Sequence, residues 1–134
     1  MYSMLSMHRE LWTEMQQHVM GEDPLEACGL LAGIDHQVKK VLPVRNAAQS
    51  RVRFSMDAQG QFNAFEWIEN SGLSLVGIFH SHPKGPVTLS ESDIAESAYE
   101  VVHILWARSE ELWKAYGYWI EGKTVSEVAL QVKD

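Results

Sequence analysis

The sequence predicts an α/β fold: a single mixed, largely antiparallel sheet with helices packed on it. Three observations predict it. Apolar runs of strand length alternate with segments of helical period. Gly, Pro, Asn and Asp punctuate those runs at turn-like positions. The 134 residues, 46% hydrophobic and 22% charged, suffice for one core without covalent staples. One domain over residues 1–134 is the resulting expectation.

Each element follows from local pattern. Over residues 6–20, Met7, Leu11, Met15 and Val19 recur at four-residue spacing, so a helix is expected, with Ser6 as its cap and Gly21 at its end. Residues 28–33 are a short apolar run and read as a buried strand. Residues 37–44, with Val38, Val41 and Val44, read as its partner across a turn at Asp35 and His36. Residues 51–55 read as a further strand. A second helix is expected over 57–70, with Phe62, Phe65 and Ile68 on its apolar side and Ser71-Gly72 ending it. Residues 73–79 are apolar on both faces, which predicts a central strand. Gly85-Pro86 breaks residues 84–89 into a loop, and Ser90 starts a helix through residue 98. Strands at 101–107, 113–120 and 125–132 complete the sheet.

Composition excludes several function classes. Eleven basic against 18 acidic residues give a net charge of −7, which argues against a nucleic-acid partner. The basic clusters Lys39-Lys40 and Arg51-Val52-Arg53 read as solvated strand faces. The single cysteine allows neither an intrachain disulfide nor a Cys-rich zinc cage. No signal peptide and no apolar run of about 18 residues is visible, so a cytoplasmic protein without a membrane partner is expected.

The chemistry concentrates in residues 80–93. His80 and His82 stand two apart at the end of an extended run, so both imidazoles point to one face. Pro83 stops the strand, and Ser90-x-x-Asp93 has the pattern of a helix start. Taken singly, Asp93 reads as a cap and the histidines as polar residues at a strand end. Together they make a catalytic zinc set: two neutral imidazoles and a carboxylate, with the fourth position left for water. Zinc lowers the pKa of such a water from 15.7 to about 7. A base is still required. Glu26 opens the first apolar strand, where a carboxylate can sit beside the strand of His80, and Glu22 is the next candidate.

Glu26-Ala27-Cys28-Gly29-Leu30-Leu31-Ala32-Gly33, followed by His80-x-His82-x7-Ser90-x2-Asp93, resembles the motif of the JAMM (MPN+, Mov34/PAD-1-like) zinc metalloproteases. Asn46-Ala47-Ala48 and Arg53-Phe54-Ser55-Met56-Asp57 resemble family segments lying between these two. The resemblance runs over residues 24–95, and the length is that of the short prokaryotic type. It implies the MPN/JAB, cytidine-deaminase-like sandwich. It implies one Zn2+ per chain, held by His80, His82 and Asp93. Glu26 becomes the general base and Ser90 the donor to the oxyanion. Leu89 departs from the proline that many members carry there, without removing a catalytic atom.

The resemblance further implies hydrolysis of an isopeptide or peptide bond after the C-terminal Gly-Gly of a ubiquitin-like protein or a sulfur carrier of the ThiS and MoaD type. Residues 50–57, Arg51 and Phe54 especially, and the loop at 84–88 are the expected walls of a groove for such a tail. A homodimer is left open. The competing readings are a non-catalytic MPN-type scaffold that binds a ubiquitin-like partner, and the RadC-type branch linked by name to DNA repair. The first usually lacks a metal ligand, and the acidic balance argues against the second. The absence of Pro-Cys-x-x-Cys excludes a zinc nucleoside deaminase. Cys28 reads as a small core residue, with a redox-sensitive neighbour of the site as the alternative. His8, His18, His36 and His103 show no ligand spacing.

Overall fold

The computed structural model describes residues 3–134. Its elements follow in the order β1 (Met4–His8), α1 (Arg9–Glu22), β2 (Cys28–Ile34), β3 (Gln37–Val44), α2 (Ala58–Ser71), β4 (Ser74–His82), α3 (Glu91–Ala95), β5 (Val102–Ser109), β6 (Leu112–Glu121) and β7 (Thr124–Lys133). The strands form one mixed sheet in the order β1-β3-β2-β4-β5-β6-β7, which closes because β1 pairs with both β3 and β7. β2–β3, β2–β4, β5–β6 and β6–β7 run antiparallel; β1–β3, β1–β7 and β4–β5 run parallel. The expected α/β class with a largely antiparallel sheet is borne out, with closure added.

Both faces of the central strands are covered. Leu31 of β2 and Phe79 of β4 join Leu5, Met15, Val19 and Trp106 in one apolar cluster. Leu30 of β2 and Ile78 of β4 pack on the opposite face with Ala64 and Ile68 of α2. β2 therefore has no polar face to show, which is why it reads as a continuous apolar run. α2 is held at both ends. The Asp57 carboxylate accepts from Gly60 N–H at 2.8 Å, and Gly72 at φ 76° supplies the left-handed turn that stops it. α3 starts at a reciprocal capping box between Ser90 and Asp93, as Ser-x-x-Asp predicts.

Three local expectations are corrected. Residues 6–8 belong to β1, not to the first helix, and Ser6 caps nothing: its N–H donates to His36 O at 2.8 Å. Met7 extends the four-residue spacing of the helix but is buried as a strand residue, because pairing with the distant β7 outweighs local period. Residues 51–55 form no strand; the segment is a loop held to the sheet by an isolated Asn46–Met56 bridge. The third helix ends at Ala95, since none of its residues is buried and packing gives it no reason to continue.

Candidate metal centre

β4 is paired on both sides, His80 lying opposite Cys28 of β2 and Leu105 of β5. The ladder continues through His82, so both histidines sit at the end of the strand, as expected. They share the face that carries Ile78. α3 begins across the intervening loop and brings Asp93 to them. His80 Nε2 lies 3.2 Å from His82 Nε2. Asp93 Oδ2 lies 3.1 Å from the first nitrogen and 3.2 Å from the second. Three donor atoms from two elements thus form a nearly equilateral triangle. Both histidines are buried.

Neighbouring groups orient each member. His82 Nδ1 donates to Pro86 O at 2.9 Å, which leaves Nε2 free to face the triangle. Ser90 N–H donates to the same Asp93 Oδ2 at 2.8 Å, and Asp93 N–H donates to Ser90 Oγ at 3.0 Å. Phe54 lies flat on the His80 ring, with centroids 4.6 Å apart and planes 25° apart. Glu26 lies just before β2, across from β4. With His80 and His82 it offers donor atoms all within 4.8 Å of one another. It is buried, and its Oε1 has no hydrogen-bond partner among the described residues.

The donor set fits a metal ion. Tetrahedral ligands about 2.0–2.1 Å from zinc stand roughly 3.3 Å apart, close to the edges of the triangle. Both Glu26 and Asp93 stand near the two histidines. Asp93 matches the ligand spacing, while the Glu26 carboxylate lies farther out and carries the unpartnered oxygen.

Burial sets the protonation. It pushes the Glu26 carboxyl up to about 7; His82 pulls it down and Asp93 adds repulsion. His80 is pushed below its ordinary value by burial, despite its hydrogen bond to Asp93. For His82 the hydrogen bonds to Asp93 and Pro86 outweigh burial, and the net direction is upward. Burial opposes ionisation of Asp93 as well, yet the hydrogen bonds from both histidines hold its carboxyl well below the usual range. Burial pushes the Cys28 thiol up to about 12; its Sγ donates to Val44 O at 3.3 Å. Cys28 is therefore an inert core residue.

A cavity of about 490 Å3 opens beside the triangle, with His80 and Asp93 in one wall. The loop residues Arg53, Phe54 and Met56 line one side, and Ser97, Tyr99 and His103 another. Of residues 50–57, Arg53, Phe54, Ser55 and Met56 line this cavity, while Arg51 is exposed and off it. Residues 84–88 do not line it either; that loop holds His82 through Pro86. His103 reaches the cavity because β5 runs parallel beside β4, a pairing no spacing in the sequence displays. Its Nε2 lies 3.2 Å from Ser97 Oγ, and burial lowers its pKa to about 4. Asn46, given no role from sequence, proves to be a hub of four hydrogen bonds beside Glu26. The resemblance of Asn46-Ala47-Ala48 to a family segment was its visible signal.

Comparison with known proteins identifies the family. The family model described as prokaryotic homologs of the JAB domain matches residues 8–122. The chain is 36% identical over 99 residues to a probable TtuB-protein conjugate cleaving protease of Thermus thermophilus; the match covers 73% of this chain and 66% of that protein, just under two thirds. It is 34% identical over 117 residues to a desampylase of Pyrococcus furiosus, covering 86% and 81% of the two chains. Among solved structures, a protein from Desulfitobacterium hafniense superposes with a TM-score of 0.88 at 28% identity, covering 98% of this chain and 94% of the other. Fold, donor geometry and family model converge: the chain belongs to the family of prokaryotic homologs of the JAB domain.

Proposed function

We propose that this protein is a zinc-dependent hydrolase that cleaves the isopeptide or peptide bond after the C-terminal Gly-Gly of a ubiquitin-like or sulfur-carrier protein, with residues 1–134 as one catalytic domain. The observation that carries the reading is the triangle of His80 Nε2, His82 Nε2 and Asp93 Oδ2 with the Glu26 carboxylate, its Oε1 unpartnered, beside it. Relatives named as a conjugate-cleaving protease and a desampylase support it. His80, His82 and Asp93 hold one zinc. Zinc, when bound, supplies a Lewis acid and a nucleophile at neutral pH.

The chain's own residues do the rest. Glu26 takes a proton at a carboxylate oxygen and returns it to the leaving amine nitrogen. Ser90 Oγ accepts from Asp93 N–H and lies 3.1 Å from Ser92 Oγ; with Ser92 as the donor in that pair, the Ser90 O–H donates to the carbonyl oxygen as that atom gains charge. A diglycine tail has no side chains, so its backbone can approach this buried centre at two consecutive positions. The acidic balance suits a protein partner rather than nucleic acid or a membrane surface, and the reading places the reaction in the cytoplasm. No helix of the described residues is long and apolar enough to cross a membrane.

The test joins metal content to substrate choice. One zinc per chain is expected in the wild type, with large loss in His80→Ala, His82→Ala and Asp93→Ala. A carrier ending in Gly-Gly, joined to a short peptide, is expected to be cut at least about tenfold faster than its Gly-Ala and Ala-Ala versions. Equal turnover of all three refutes the diglycine specificity. Full zinc retention in all three variants refutes the ligand assignment. Zinc retention with no hydrolysis of any carrier favours the scaffold.

A further inference from the structure

We infer that Asn46 is a positioning residue for this centre, locking the backbone of Glu26 and the 47–56 loop into one unit that also places the His80 ring. The side chain is buried and its hydrogen-bonding capacity is fully used. Its Nδ2 donates to Glu26 O at 3.0 Å and to Arg53 O at 3.1 Å. Its Oδ1 accepts from Ala48 N–H at 3.0 Å and from Ser55 N–H at 2.9 Å. One amide therefore gathers four backbone groups that no regular element serves. The loop closes on itself through Ala47 N–H to Ser55 O at 2.7 Å.

Glu26 hangs on this unit by both of its backbone groups. Its N–H donates to Ser50 O at 2.8 Å, and its carbonyl accepts from Asn46. The same loop carries Phe54, stacked on His80. The residue read as base and a residue read as ligand are thus tied through the loop, in addition to the direct bonds between their neighbours: Ala27 N–H donates to Ser81 Oγ at 2.7 Å and Ser81 N–H to Ala27 O at 3.1 Å. Removing the Asn46 side chain strands two carbonyls and two N–H groups, which the loop can satisfy only by moving into water. That motion frees the Glu26 backbone and takes Phe54 off the ring together. Misplacement by about 1 Å costs on the order of 10²-fold in rate.

The inference rests on the roles proposed for Glu26 and His80, so its test includes readings independent of catalysis. Asn46→Ala, Asn46→Asp, Phe54→Ala and the Asn46→Ala/Phe54→Ala double variant are compared with wild type. Asn46→Asp keeps the acceptor and loses both donors, so it retains the Ala48 and Ser55 bonds if the alanine variant fails to fold. In Asn46→Ala, amide hydrogen exchange is expected to accelerate at Ala48 and Ser55 while Leu30 and Phe79 in the central strands stay protected. On a diglycine-tailed conjugate, kcat is expected to fall roughly 10- to 100-fold, and by more than KM rises. Adding Phe54→Ala is expected to cost little more, because both changes act through one loop. Unchanged exchange at Ala48 and Ser55 overturns the inference. So does kcat within about threefold of wild type, or single-variant losses that multiply in the double variant. A wild type that cleaves no conjugate refutes the proposed reaction instead, and the exchange data still decide the role of Asn46.

Discussion

Glu26 shows what the centre costs. A carboxyl in bulk water ionises near 4.5, whereas burial here moves it to about 7. Its folded-state pKa therefore lies above its unfolded value, and the folded chain binds the proton more tightly. The resulting stability is fully present below about pH 4.5 and is lost as pH rises through about 7. Replacing Glu26 by glutamine removes that dependence. In metal-free protein, the stability of Glu26→Gln relative to wild type is expected to rise by about 2–3 kcal/mol between pH 4.5 and 8, read by denaturant unfolding. A difference that does not change with pH contradicts the buried, unpaired carboxylate.

At the scale of elements, β2 and β4 make the centre possible by lying flush. Gly29 of β2 stands opposite Phe79, and a Cβ there would meet the Phe79 ring and stand 2.7 Å from Leu42 O on β3. The carbonyl belongs to a paired strand and cannot swing aside. Gly29→Ala is expected to lose about 1–3 kcal/mol, measured by denaturant or thermal unfolding, and an unchanged midpoint contradicts this packing. Much of this layer was legible in the sequence. Residues 28–33, 37–44 and 73–79 carry strong apolar patterns bounded by breakers, and their strands form where expected. The His80-x-His82 pair, Ser90 and Asp93 were legible too, because strand alternation and a helix start fix their directions locally. What was hidden depends on long-range partners. β1 is a strand because β7 lies beside it, and residues 51–55 are a loop because Asn46 takes the bonds a neighbouring strand would make. His103 joins the cavity only through the parallel step from β4 to β5.

For the whole molecule, closure of the sheet pairs β4 on both sides and apolar clusters cover both faces of that strand, so the fold itself sets where its two histidines stand. Arg108 extends this bracing around the centre. It donates to Pro83 O at 3.1 Å, next to His82, and to Asp23 Oδ2 at 2.8 Å, three residues before Glu26. The central claim is that one metal ion held by His80, His82 and Asp93 works with Glu26 as the proton carrier. It is tested most directly by measuring bound zinc and hydrolysis of a diglycine-tailed conjugate on the same preparation of Glu26→Gln. The account predicts one zinc per chain, unchanged from wild type, with hydrolysis lowered by about 10²–10⁴-fold. Hydrolysis at the wild-type rate, or loss of the zinc, contradicts it.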